Sequence, residues 1–246
     1  IQPMKILVCI THVPDTTSKI SFTDNAFNTS GVQFIIGPYD EYALSKAVDL
    51  KEQHGGTITV LNVGDAETEP TIRKALAIGA DDAIRINAIP KDAGFVAAQI
   101  ASVAKSESYD LILMGRESID YNGGLVHGLV ADLLSMPCIT PIMKLDIDGT
   151  LAKMSREIEG GKESVECNLP FVAGCQEPIA EWKIPNMRGI MSARTKALKV
   201  VEPISVVDDV VYGSYSLPAP KGACKMIDAA NPGELLTLLR NEAKVL

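Results

Sequence analysis

The chain has 246 residues, 46 % apolar and 22 % charged, the balance of an ordinary globular protein with length for one large or two small domains. Its 23 basic and 31 acidic residues leave a net charge of −8, which repels phosphate backbones and argues against nucleic-acid binding. No apolar run approaches the roughly 18 residues of a membrane span. No signal-peptide pattern precedes Met4, and the five cysteines show no CxxC spacing, so a reduced, cytoplasmic setting without membrane insertion is expected. Ile1-Gln2-Pro3, ahead of Met4, reads as a cloning remnant.

In chain order, Met4 to Thr11 is a near-continuous apolar run, the pattern of a strand buried on both faces. Lys19–Phe22 and Val32–Ile35 alternate around a Thr/Asp/Asn/Gly loop, which predicts a hairpin insertion. The spacing predicts a helix over 38–53, with Pro38, Asp40 and Glu41 in its first turn, where the helix dipole favours acids. Further buried strands are expected at 57–63, 83–86 and 110–114. They alternate with helices over 69–78, ending at Gly79, and over 93–105 and 124–134. Antiparallel strands with turns at Asp148-Gly149 and Gly160-Gly161 fill 145–167, and Phe171–Gly174 returns as a buried strand. This alternation predicts a doubly wound, mostly parallel α/β sheet with helices on both faces.

After Gln176 the pattern loosens. A short helix is expected over 186–195, then an extended linker over 198–222 with three prolines, Pro203, Pro218 and Pro220. Asn231, Pro232 and Glu234 announce a last helix whose Leu235, Leu238, Leu239, Ala243 and Leu246 line one face. Such a helix on a long tether calls for a surface to cover it, on this domain or on another chain.

Ligands of open parallel sheets bind beyond the carboxyl ends of the strands, where strand order reverses. The exits to watch are Cys9–Thr16, Ile36–Pro38, Val63–Asp65 and Gly115–Val126. The last leads through Asp120-Tyr121-Asn122-Gly123-Gly124 into a helix N-terminus, either a phosphate cradle or a loop that only caps the helix. GxGxxG, GxxxxGK[ST] and HExxH patterns are missing, and His12, His54 and His127 are too dispersed to read as metal ligands, each more naturally a surface or loop residue. Cys9 reads as an inert buried thiol. With no redox-active cysteine pattern, any electron transfer requires a bound cofactor.

The segment Arg156-Glu157-Ile158-Glu159-Gly160-Gly161-Lys162-Glu163, followed by Asn168-Leu169-Pro170-Phe171, is on spacing alone a surface hairpin. It also resembles the signature of the electron transfer flavoprotein beta subunit. The resemblance extends over 4–10, 37–44, 73–81, 115–120 and 188–194, in the family's order. It implies an adenine-nucleotide alpha-hydrolase-like fold over 4–196 that includes a recognition loop at about 177–196. An extended C-terminal arm over 197–246 would end in a helix packed on the partner subunit. Family beta subunits are electron carriers without catalytic residues of their own. They pair with an alpha subunit that holds most of the FAD, and they bury an AMP.

By the resemblance, Cys9, Gly37, Val63, Asp120, Asn122, Gly123, Gly124, Leu125 and Val126 surround the AMP. Thr16 lies near the flavin, and Glu157 pairs with an arginine of the alpha subunit as a latch for that subunit's mobile flavin domain. Ile184, beside Met187 and Met191, anchors acyl-CoA dehydrogenases, with intramolecular packing of Ile184 as the alternative. The electrons would pass to a membrane quinone oxidoreductase. Gly37 stands where the family usually has Asn, and Gly124-Leu125-Val126 replaces a polar Asn-Gln-Thr. Bifurcating relatives, which place a second FAD at the AMP site, carry Asp-Gly-Asp-Thr-Ala-Gln-Val-Gly there, which is not matched either. AMP is the favoured expectation. Two other classes are an adenylating enzyme, for which the phosphate-loop motif is missing, and a universal-stress-type nucleotide-binding module, usually shorter and without the tail.

Overall fold

The computed structural model describes residues 3–207 and 210–246. Ile1 and Gln2, and positions 208–209 of the expected linker, lie outside the described residues. β1 (Met4–Cys9), β2 (His12–Pro14), β3 (Phe22–Thr23), β4 (Ala26–Phe27) and β5 (Phe34–Ile36) lead into α1 (Pro38–His54). Then come β6 (Gly56–Val63), α2 (Glu69–Ile78), β7 (Asp82–Ile86), α3 (Ala93–Ser106), β8 (Leu111–Gly115) and α4 (Val126–Leu134). β9 (Cys138–Asp148), β10 (Leu151–Ile158), β11 (Gly161–Asn168) and β12 (Phe171–Cys175) precede α5 (Met187–Ala193), β13 (Leu198–Val201) and α6 (Pro232–Asn241).

One nine-stranded sheet runs β11-β10-β9-β12-β8-β1-β6-β7-β13. It is parallel from β9 to β13, and β10 and β11 add an antiparallel margin. The chain starts centrally at β1, steps outward through β6 and β7, then returns to β8 on the other flank of β1. Strand order therefore reverses between β1 and β8, the place at which open parallel sheets commonly bind ligands.

β8 and β12 bury every residue, because helices cover both faces and no strand position there meets water. Successive side chains of β1 serve opposite cores. Ile6 and Val8 join Leu44, Leu50, Ile72 and Leu76 of α1 and α2. Leu7 and Cys9 join Phe95 and Ile100 of α3 and Val130 of α4. The expected mostly parallel α/β sheet is present, with helices on both faces.

Four local expectations are revised. The segments 19–22 and 32–35 do not pair with each other. Phe34–Ile36 instead pairs with His12–Pro14, while β3 and β4 form their own ribbon. Asp24 and Asn25 sit between those short strands at φ 51° and 60°, a left-handed pair suited to a two-residue hairpin turn. Leu198–Val201, read as linker, is a strand in register with Ala83–Ile86. Its Val200 and Val201 favour a pleated edge, and the first proline arrives only at Pro203. α4 begins at Val126 rather than at Gly124, whose φ of 59° is outside helical space. His127, expected at the surface, is buried.

The chain forms two compact units, Ile1–Ile20 with Thr29–Gly213, and Ser21–Asn28 with Ser214–Leu246. In the larger, the segment after β13 is tied down by Gln99 of α3. Its side chain donates to Ile204 O (2.8 Å) and accepts from Ile204 N (2.9 Å). In the smaller, Phe22 stacks on Tyr215 with centroids 5.3 Å apart, and Tyr215 N donates to Asn25 Oδ1 at 2.8 Å. α6 buries none of its residues, and its expected apolar face outlasts the helix, which ends at Asn241 before Ala243 and Leu246. No helix among the described residues is long and apolar enough to cross a membrane.

Candidate functional site

Asp40 joins the two sides of the reversal point. It lies in the first turn of α1, which Gly37 and Pro38 start directly over the carboxyl ends of β1 and β8. Its Oδ2 accepts from Thr11 N (2.8 Å) and Thr11 Oγ1 (2.6 Å), just beyond β1. Its Oδ1 accepts from Gly115 N (2.8 Å), at the end of β8. The carboxyl is 3 % exposed, and burial pushes its pKa up to about 6 against the opposing effect of these hydrogen bonds. This proximity explains Gly37. A Cβ there would overlap Thr11 Oγ1 and Asp40 Oδ2, so an Asn has no room while Asp40 makes these bonds.

The loop from β8 to α4 begins at the carboxyl end of β8, on one side of the reversal point. Asn122 and Gly124 take φ of 52° and 59°, both in the left-handed region, and Asn122 N donates to Ser118 O at 2.8 Å. α4 follows with Leu125 at its N-cap and no side-chain cap, so its first-turn amides and the positive end of its dipole are uncapped. Nothing lies within 4 Å of a Cβ added at Gly123, so the backbone there is open to close approach. Asp120 is exposed, and Ser118 hydrogen-bonds to it. Behind the loop, buried His127 shares a hydrogen bond with Arg116 O at 3.0 Å and is held below the usual imidazole range by burial.

Cys9 and Val63 end β1 and β6, both buried, and burial pushes the Cys9 thiol up so that it stays protonated and inert. Beside Val63, Asn62 is 2 % exposed. Its Nδ2 donates to Ile10 O (2.9 Å), while Oδ1 has no partner among the described residues. A buried acceptor without a donor is costly and points to an absent donor. Neither Asp40 nor Asn62 stood out in the sequence. Asp40 looked like a dipole acid, and Asn62 was one polar letter in an apolar strand.

The other predicted residues lie elsewhere. Thr16 is exposed in the turn after β2, and Glu157 is exposed near the end of β10. Ile184, Met187 and Met191 are 82 %, 72 % and 67 % exposed, so intramolecular packing does not account for Ile184. The segment carrying them is nonetheless fixed. Lys183 N donates to Ser45 Oγ (3.1 Å), and Lys183 Nζ pairs with Asp49 (2.8 Å) on α1. Asn186 caps α5 by accepting from Gly189 N (2.8 Å). Arg73 of α2 donates to Ala193 O and Lys196 O at 2.9 and 2.8 Å.

The fold defines an open, mostly parallel α/β protein whose strand order reverses between β1 and β8. A family model described as the electron transfer flavoprotein domain matches residues 24–206. The electron transfer flavoprotein subunit beta of Bacillus subtilis is 37 % identical over 99 % of this chain and 100 % of the relative. That of Syntrophomonas wolfei is 33 % identical over 89 % and 88 %. The caffeyl-CoA reductase-Etf complex subunit CarD of Acetobacterium woodii is 29 % identical over 98 % of each. The chain belongs to the electron transfer flavoprotein beta subunit family.

Proposed function

We propose that this chain is one half of a heterodimeric, cytoplasmic electron carrier that takes electrons from acyl-CoA dehydrogenases and delivers them to a membrane quinone oxidoreductase. FAD, held mostly by the alpha subunit, supplies the redox chemistry. This chain contributes a scaffold with an AMP at the reversal point, a wall near the flavin at Thr16, and partner contacts at Glu157 and in the arm beyond residue 196. Helices on both faces of a parallel sheet support the adenine-nucleotide alpha-hydrolase-like reading of the fold.

The observation that supports the nucleotide assignment is a pair of opposite needs at the carboxyl end of the sheet. Asn62 Oδ1 is a buried acceptor without a donor, and the loop into α4 offers uncapped amides. A nucleotide has donors on its base and sugar and acceptors on its phosphate, so these residues fit one. Cys9, Gly37, Val63 and the stretch Asp120–Val126 would surround it, with backbone amides of Gly123–Val126 on the phosphate.

Ile184, Met187 and Met191 would dock the dehydrogenases. An exposed apolar group on a pinned segment suits an anchor, because little ordering entropy is lost when it docks. The likeness to CarD, which by name belongs to a caffeyl-CoA reductase-Etf complex, favours one second reading, a bifurcating protein with a second FAD in the AMP site.

Co-expression with the alpha subunit tests the assignment. The pair should be yellow and the isolated chain colourless. A stable, stoichiometric FAD spectrum from the isolated chain would contradict the division of labour.

A further inference from the structure

Glu157 is exposed, yet it is not loose. Its Oε2 accepts from Nε2 of Gln176 at 2.6 Å, and Oε1 of the same amide accepts from Arg116 Nη1 at 2.7 Å. Gln176 is 6 % exposed. Its own amide donates to Ile142 O (3.1 Å), and Arg116 N donates to Cys175 O (2.9 Å), so the backbones at both positions are fixed by neighbouring strands. Arg116 is steadied further by Glu117, 3.7 Å from its Nε, and by the ring of Tyr39 at 5.8 Å.

Chemistry fixes the amide's sense. A cation on one side demands the oxygen, and a carboxylate on the other demands the NH2. We propose that Gln176 is a positioning residue that presets Glu157 to receive a cationic side chain of the partner subunit. One carboxylate oxygen is committed to Gln176, and because the side chain is exposed the other can accept from a partner. A glutamate already held in one rotamer loses less freedom on pairing, so the preset strengthens the contact without touching the partner. This inference rests on the reading of Glu157 as the contact to the flavin-bearing subunit.

The test uses the FAD-loaded heterodimer and the ratio of its flavin-domain positions, read by small-angle scattering. Gln176→Leu is expected to shift that ratio about 3- to 10-fold in the same direction as Glu157→Gln, and to add nothing in the double variant. Gln176→Glu keeps the size and the bond to Arg116 but repels Glu157, so it should shift the ratio the same way even if the leucine variant is unstable. A wild-type ratio in both Gln176 variants while Glu157→Gln shifts it, or full additivity in the double variant, overturns the proposal and leaves the reading of Glu157 standing. An unchanged ratio in Glu157→Gln removes that reading and the proposal with it.

Discussion

The reversal point depends on a few residues whose identities are set by contact rather than by pattern. Asp40 binds both sides of the strand-order reversal, and its protonation should be visible in stability. Its pKa lies above the ordinary aspartate value near 3.8, at about 6, so between those limits the native state holds more proton than the unfolded chain. Its contribution to stability is therefore fully present below that window and falls as pH rises through it, by about 3 kcal/mol at roughly 1.4 kcal/mol per unit. Asp40→Asn does not titrate. Denaturant unfolding of both proteins should show the wild type's advantage over the variant shrinking by about that amount between roughly pH 4 and 6.5. A constant difference would mean that Asp40 has an ordinary pKa. Gly124 offers a second check. A leucine there meets the strain of positive φ, roughly 1–2 kcal/mol, and intrudes on the phosphate approach, so the purified heterodimer should lose nucleotide. Full retention would take this loop out of the site. The loop was legible in advance, because glycines before a helix signal a turn of bare amides. Asp40, Asn62 and Gln176 were not, because each acts through residues distant in sequence.

At the scale of elements, alternation of apolar strands and amphipathic helices announced the sheet. α2 was bounded at both ends because Gly79 ends it sharply. Prediction failed where pairing depends on a distant neighbour. β13 looked like linker until β7 offered an edge, and Phe34–Ile36 chose His12–Pro14 over the nearer segment. The exposed segment before α5 is the element with the clearest test. Ile184→Ala should weaken binding to an acyl-CoA dehydrogenase by roughly 5- to 150-fold, the range for a buried apolar anchor of about 1–3 kcal/mol. Its flavin spectrum and melting temperature should match wild type, since the side chain is 82 % exposed here. Unchanged affinity and electron-transfer rate, measured by titration and stopped flow, would exclude it as the anchor. Glu157→Gln should leave that affinity intact, which separates docking from the flavin-domain contact.

At the scale of the molecule, the larger unit carries two full cores, while the smaller has a two-stranded ribbon, an aromatic stack and a helix that buries nothing. Leu235 and Leu236 are 45 % and 52 % exposed on that helix. The sequence foretold this helix from its Asn-Pro start, but not its companions, because Ser21–Asn28 joins it from the far end of the chain. The central claim is that this chain holds an AMP at the reversal point while its partner holds the flavin. It is tested most directly by denaturing the co-purified heterodimer and quantifying the released nucleotides by chromatography. Equimolar FAD and AMP are predicted, with AMP lost in the Gly124→Leu variant while FAD stays. Two FAD per heterodimer and no AMP would contradict the claim.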